Sequence, residues 1–163
     1  MTHSQQPNEP IDPTKADPIQ VRVVPHDPAW VQAFEEEAGT LRKVMGDTLI
    51  RIFHIGSTAV PDLWAKPIID MLPVVRDLDQ LDACTEAMAA LGYEGLGEFG
   101  IPGRRYFRKG GARRTHQINA FAYTSVRDIT RHLAFRDYLR RPVSVRAAYG
   151  GHNRERAATP TAG

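Results

Sequence analysis

Residues 54–70 hold the side chains best suited to chemistry: His54, the run Gly56-Ser57-Thr58, Lys66 and Asp70. An apolar run leads into the Gly-Ser turn, and a second apolar run carries a single carboxylate. A glycine lets backbone approach a ligand closely, and the N–H groups and hydroxyls of such a turn donate to phosphate oxygens. Gly56, Ser57 and Thr58 are therefore phosphate-binding candidates, with Lys66 placed to meet the same anion. Asp70, on an apolar strand, is either a general acid or base with a raised pKa or one half of an ion pair with an arginine. His54 could orient Ser57 or shuttle a proton, or simply satisfy backbone groups in the loop.

Further candidates follow in the second half of the chain. Arg104, Arg105 and Arg108 lie on the Gly-rich loop and the strand that follows it, where Arg105 and Phe107 share one face and Arg104, Tyr106 and Arg108 the other. Arg105 is the arginine expected to reach the pocket. Arg131, His132, Arg136 and Asp137 sit on the last helix, either as ligand groups, Arg131 foremost, or as a polar network fastening that helix down. Gly95-x-Gly97-x-x-Gly100 has the letters of a dinucleotide fingerprint, but Ile101-Pro102-Gly103 follows it and opens no helix. His116 and His132 are too few for a zinc site, and no nucleophile-elbow or Cys/His arrangement is present.

The elements that must position these groups read as follows. Residues 1–18, with Pro7, Pro10, Pro13 and Pro18 among polar residues, are expected to be a disordered tail, 19–149 one domain, and 150–163 a flexible tail. Val21 to Val24 alternates like a short edge strand. Asp27-Pro28 starts a helix along which Trp30, Phe34, Ala38, Leu41 and Met45 recur at helical spacing, and Gly46 ends it. Leu49 to Ile55 and Ile68 to Val75 read as strands, the second as a central one. Asp77-x-x-Gln80 caps a helix carrying Leu78, Leu81, Cys84, Met88 and Leu91. Arg105 to Arg108 and His116 to Tyr123 read as paired strands, and Ser125 opens a last helix reaching about Arg140. Pro142 to Tyr149 could add a short helix. This order predicts a small mixed sheet with helices on its faces.

Composition narrows the class. The 163 residues carry a net charge of +2, but residues 1–103 hold 7 Lys/Arg against 16 Asp/Glu and residues 104–163 hold 14 against 3. The two halves are expected to pair with each other; nucleic-acid binding lacks an aromatic-basic motif to support it. No apolar run is long enough to span a membrane, and a lone Cys84 fits a reducing, cytoplasmic setting.

Four segments in this order, His54-Ile-Gly-Ser-Thr-Ala-Val-Pro61, Lys66-Pro-Ile-Ile-Asp70, Gly103-Arg-Arg-Tyr-Phe107 and Arg131-His-Leu-Ala-Phe-Arg-Asp-Tyr-Leu139, resemble the GrpB family over about residues 20–149. The resemblance implies a nucleotidyltransferase-like fold of the α+β (mixed α/β) class, in which a Gly-Ser turn opens a helix and holds nucleotide phosphates. It also implies two acids spaced by two on one strand and a third on a later strand, sharing Mg²⁺. Asp70 matches the first position, but Leu72 stands at the second, and Gln117 and Asn119 occupy the candidate third strand. Asn119 then becomes a ligand-binding candidate, and Asp70 the one metal ligand if Mg²⁺ is used. A similar domain is fused to dephospho-CoA kinase in some bacteria, which hints at nucleotides. The resemblance would also place a Lys-containing helix after Tyr149, where this chain has Gly150-Gly151 and a polar tail.

The expected function is binding of a nucleotide or other anionic small molecule between Gly56-Ser57 and Asp70, with nucleotidyl transfer as one outcome. The alternatives are a metal-independent acid/base enzyme (cyclase, isomerase or hydrolase) on a specialised metabolite, or a non-catalytic ligand-binding module.

Overall fold

A computed structural model of the chain describes residues 21–142 and 144. The two expected tails and most of the expected Pro142–Tyr149 helix lie outside the described residues. Helix α1 (Ala29–Met45) begins where the Asp27 carboxylate accepts from the Ala29 N–H at 2.9 Å, and it ends at Gly46 with φ +57°. Strands β1 (Leu49–Ile55) and β2 (Ile69–Val75) follow, then the short helices α2 (Leu78–Asp82) and α3 (Thr85–Ala90). Strands β3 (Tyr93–Gly95), β4 (Arg104–Lys109) and β5 (His116–Ala122) complete the sheet, and α4 (Val126–Leu139) crosses it. The sheet order is β1-β2-β5-β4-β3, with β2 and β5 parallel and every other pair antiparallel. This is the mixed α+β sheet with helices on its faces that the element order implies.

Side-chain alternation divides the sheet into two faces. One face buries Ile52, Met71, Val75, Phe107, Ile118 and Ala120 under α1, whose Trp30, Phe34, Ala38, Leu41 and Met45 form the facing stripe. Burying one such side chain is worth about 1.5–3 kcal/mol, so this stripe is what holds α1 on the sheet. The other face buries Ile55, Leu72 and Phe121 against Ile129 and Leu133 of α4. Phe135 and Tyr138 stay largely exposed, so the second apolar stripe of α4 is covered only at Leu139, which packs with Val60 and Leu63.

Local chemistry explains where the elements depart from expectation. The single helix expected after Asp77 breaks in two near Cys84. Asp77 caps its start, accepting from the Asp79 and Gln80 N–H groups at 2.7 and 3.2 Å. The Thr85 hydroxyl donates to the Asp82 carbonyl at 2.6 Å, a side-chain bond that competes with the helical ladder. Residues 21–24 form only one bridge, Val24 with Ala65, instead of a strand. Pro73 sits inside central strand β2, where the paired register with β5 skips Leu72 and Pro73 and resumes in step at Val74. The two halves of opposite charge do pair: Arg105 with Asp82, Arg108 with Glu94, and Lys109 with Glu37.

Candidate functional site

Asp70 lies near the start of β2, on the α4 face of the sheet, opposite Ile55 of β1 and beside Gln117 of β5. Its Oδ1 accepts from the Asn119 side-chain amide at 2.9 Å. The Asn119 carbonyl oxygen in turn accepts from Arg104 at 3.1 Å, and Arg104 is fixed by donating to the Phe99 and Glu98 carbonyls at 2.8 and 3.1 Å. Arg104 also lies over the Tyr106 ring, 5.0 Å from its centroid. The result is a line, Arg104 to Asn119 to Asp70, built across three adjacent strands. Burial pushes the Asp70 carboxyl up to about 7; the Asn119 amide, the Met71 backbone bond and the Arg104 charge pull against that rise.

Gly56 presses on the same carboxyl group. Its backbone holds φ +71° and ψ −171°, and a Cβ there would stand 3.0 Å from Asp70 Oδ2. Only glycine occupies that conformation readily, so this residue is required twice, for dihedral and for space. Beyond it the chain makes one 3-10 turn, Ser57–Ala59. The resemblance implies a helix opening at Gly56-Ser57, but three residues supply no helix N-terminus for a phosphate.

A cavity of about 400 Å³ opens between this end of the sheet and α4, lined by Ile55, Gly56, Asp70, Arg131, His132 and Phe135. Arg131 stands at its rim, largely exposed and 3.5 Å from Asp128. The His132 ring tilts toward Phe121, its Nε2 is buried without a hydrogen-bond partner, and burial lowers its pKa. Helix α4 is anchored over the cavity by Arg136 to the His54 carbonyl at 3.3 Å and by two Arg140 bonds to the Ala59 carbonyl.

The structure thus brings together Gly56, Asp70, Asn119 and Arg131, and it places other candidates elsewhere. His54 pairs with Met71 across β1 and β2 and therefore faces α1, stacked on Phe34 at 4.8 Å. Its Nε2 meets Thr58 Oγ1 at 2.9 Å, not Ser57, and that hydroxyl donates to the Ile68 carbonyl at 3.0 Å. With the Thr58 proton committed, His54 Nε2 must donate, which makes it a neutral strut. Burial, then the charges of Arg140 and Arg136, lower its pKa to about 4. Thr58 is buried in that linkage and Lys66 lies exposed in the connecting loop. Arg105 points to the α1 face, where its Nε and Nη2 bind both Asp82 oxygens at 2.8 and 3.2 Å. The β4 arginine that reaches the Asp70–Asn119 pair is its neighbour Arg104. Alternation separates the two in sequence; only the pairing of Tyr106 with Asn119 says which face is which.

The donor set does not fit the implied two-metal site. Leu72 is fully buried in an apolar cluster, Asn119 turns its oxygen to a guanidinium, and Asp70 Oδ1 is already engaged. No group of three or more acidic, histidine or cysteine side chains gathers among the described residues.

Comparison with known proteins gives the family. A family model described as "GrpB protein" matches residues 20–162. The UPF0157 protein YqkA of Bacillus subtilis (strain 168) is 43% identical over 138 residues, 85% of this chain, which spans only 40% of that protein. A dephospho-CoA kinase of Mycobacterium tuberculosis (strain ATCC 25618 / H37Rv) is 40% identical over 78 residues, covering 46% of this chain and 19% of the kinase. The crystal structure of conserved protein GrpB from Enterococcus faecalis superposes with a TM-score of 0.81 at 43% identity, covering 83% of this chain and 82% of that one.

Proposed function

This chain belongs to the GrpB family, and on that premise we propose that it binds an anionic small molecule in the cavity beside Gly56 and transfers a proton through Asp70, with no metal in the step. The observation that carries this reading is the solitary Asp70 carboxyl at the cavity wall, positioned by Asn119 and raised by burial to about 7 against the opposing pull of Asn119 and Arg104. A general acid or base works best with a pKa near the operating pH. A metal ligand needs the opposite, a carboxylate kept ionised and joined by others. His132 supplies a second, neutral proton-transfer group on the same cavity wall. Proton transfer of this kind serves cyclisation, isomerisation or hydrolysis.

The test follows the Asp70 carboxyl carbon by ¹³C NMR across pH, with and without millimolar Mg²⁺. The expected midpoint is about 7, unmoved by the ion. A midpoint of about 4, or a clear fall on adding Mg²⁺, overturns the reading. The similarity to part of a dephospho-CoA kinase makes a nucleotide-bearing molecule the first ligand class to try, by titration calorimetry with ATP in the presence and absence of Mg²⁺.

A further inference from the structure

Arg114 has no role in the fold or in the proton transfer described above, yet it is 6% exposed. It closes the turn after β4, where Gly110 holds φ +99° and any Cβ would meet the Arg113 carbonyl oxygen at 2.5 Å. Its Nε is buried with no hydrogen-bond partner, and no carboxylate of the described residues lies in ion-pair range of it. The cations of the neighbouring strand are all engaged: Arg104 with Asn119, Arg105 with Asp82, Arg108 with Glu94, and Lys109 with Glu37. A guanidinium cannot shed its proton, so the cost of burying it is recovered only when an anion arrives.

The charge of Arg114 reaches Tyr106. The ring is buried, stacked on Phe99 at 5.1 Å and covered by Arg104, and no hydrogen bond to its hydroxyl is found among the described residues. Burial raises the phenol pKa, and Arg114 opposes that more than any other charge, ahead of Arg108 and Arg104. Tyr106 pairs with Asn119 in the sheet, and the Asn119 amide holds Asp70, so Tyr106 belongs to the Asp70 face.

We propose that Arg114 and the Tyr106 hydroxyl form an oxyanion subsite, on the face of the sheet that carries Asp70, for the carboxylate or phosphate of a small-molecule ligand. The planar guanidinium offers two parallel N–H donors to either group, and the phenol adds a third. The inference rests on reading this sheet face as ligand-binding, and it is independent of proton transfer by Asp70.

The test titrates the native protein with inorganic phosphate and, separately, with acetate, at constant ionic strength set by chloride. The arginine Nε–H resonances are followed by NMR, and the Arg114 signal is assigned from Arg114→Met. The Arg114 resonance should shift to saturation with at least one probe, and the tighter probe identifies the group. Arg114→Met should raise the melting temperature in the chloride buffer without phosphate or acetate, because the unpaired charge is gone, and should weaken probe binding, read by titration calorimetry, by roughly tenfold or more. Tyr106→Phe should weaken it several-fold. An Arg114 resonance unmoved by both probes overturns the subsite, as does an Arg114→Met protein that melts lower in the chloride buffer without phosphate or acetate while titration calorimetry shows it binding the probe with undiminished affinity. Asp70→Asn should leave the probe response intact; an intact response together with an Asp70 midpoint of about 4 fails the proton-transfer reading alone.

Discussion

Replacing Asp70 with Asn should stabilise this protein, and by more as pH rises. The carboxyl is shifted from an ordinary 3.8 to about 7 by burial, so between those limits the folded chain holds a proton that the unfolded chain has released. A group whose folded pKa is raised favours folding below its unfolded pKa, and that favour is lost as pH climbs through the folded value. A rise of this size corresponds to an upper bound of ~4 kcal/mol, and because Asp70 is half-buried at a cavity wall we expect ~2–4 kcal/mol above about pH 7. At pH 3 and below the two proteins should be equally stable to within ~0.5 kcal/mol, because Asp70 is then mostly protonated in the folded and the unfolded chain alike. The Asn119 bond survives the change, since the amide oxygen of the substituted side chain can accept where Oδ1 did. The measurement is urea unfolding of both proteins at intervals across this range, comparing free energies at each pH so that the histidines cancel. A gap that does not widen with pH refutes the reasoning, for it means the folded Asp70 ionises at its ordinary value. A gap of the opposite sign means the carboxylate is paired, and the acid/base role falls with it.

Three further outcomes follow from the same geometry. His54, lowered to about 4, should supply stability that is full above about pH 6.5 and lost as pH falls toward 4, worth ~3 kcal/mol; His54→Phe should flatten that acid limb in the same urea series. Gly56→Ala should cost about 1–3 kcal/mol from its dihedral alone and displace the Asp70 carboxyl, seen as a changed Asp70 midpoint by NMR. Arg104→Met should raise the Asp70 midpoint by removing a favourable charge, whereas Arg105→Ala should leave it untouched and cost less than ~1 kcal/mol, since its partner Asp82 is solvent-exposed. Equal effects from the two arginines would refute the assignment of faces.

Much of the scaffold is legible in local pattern. The stripe of α1, the limits of β1, the central position of β2 and the Asp77 cap all depend on residues a few positions apart, and all stand where spacing puts them. The break between α2 and α3 is not legible, because Leu78, Leu81, Cys84 and Met88 keep one helical stripe across it. Only the Thr85 bond and the Arg105 pull on Asp82 reveal it. Strand β3 is three residues long and carries no periodicity to read. In the candidate site, Asp70, Gly56 and Asn119 follow from motif position. His132 stands out in sequence only as one of several helical polar groups, and Arg114 carries no signal at all: an arginine in an exposed turn looks solvated until its side chain is seen to be buried.

Residue identity and short-range spacing are enough to set the family, the main helices and strands, and the lack of an acidic partner for Asp70 at Leu72, Gln117 or Asn119. Three things wait on the folded chain: that Arg104 and not Arg105 serves Asp70, that His54 looks away from it, and that Asp70 is desolvated enough to keep a proton near neutrality. The reason is physical: alternation defines two faces of a strand, but which face meets which partner, and how much water remains there, is set by strand register and by the helix that closes over the sheet.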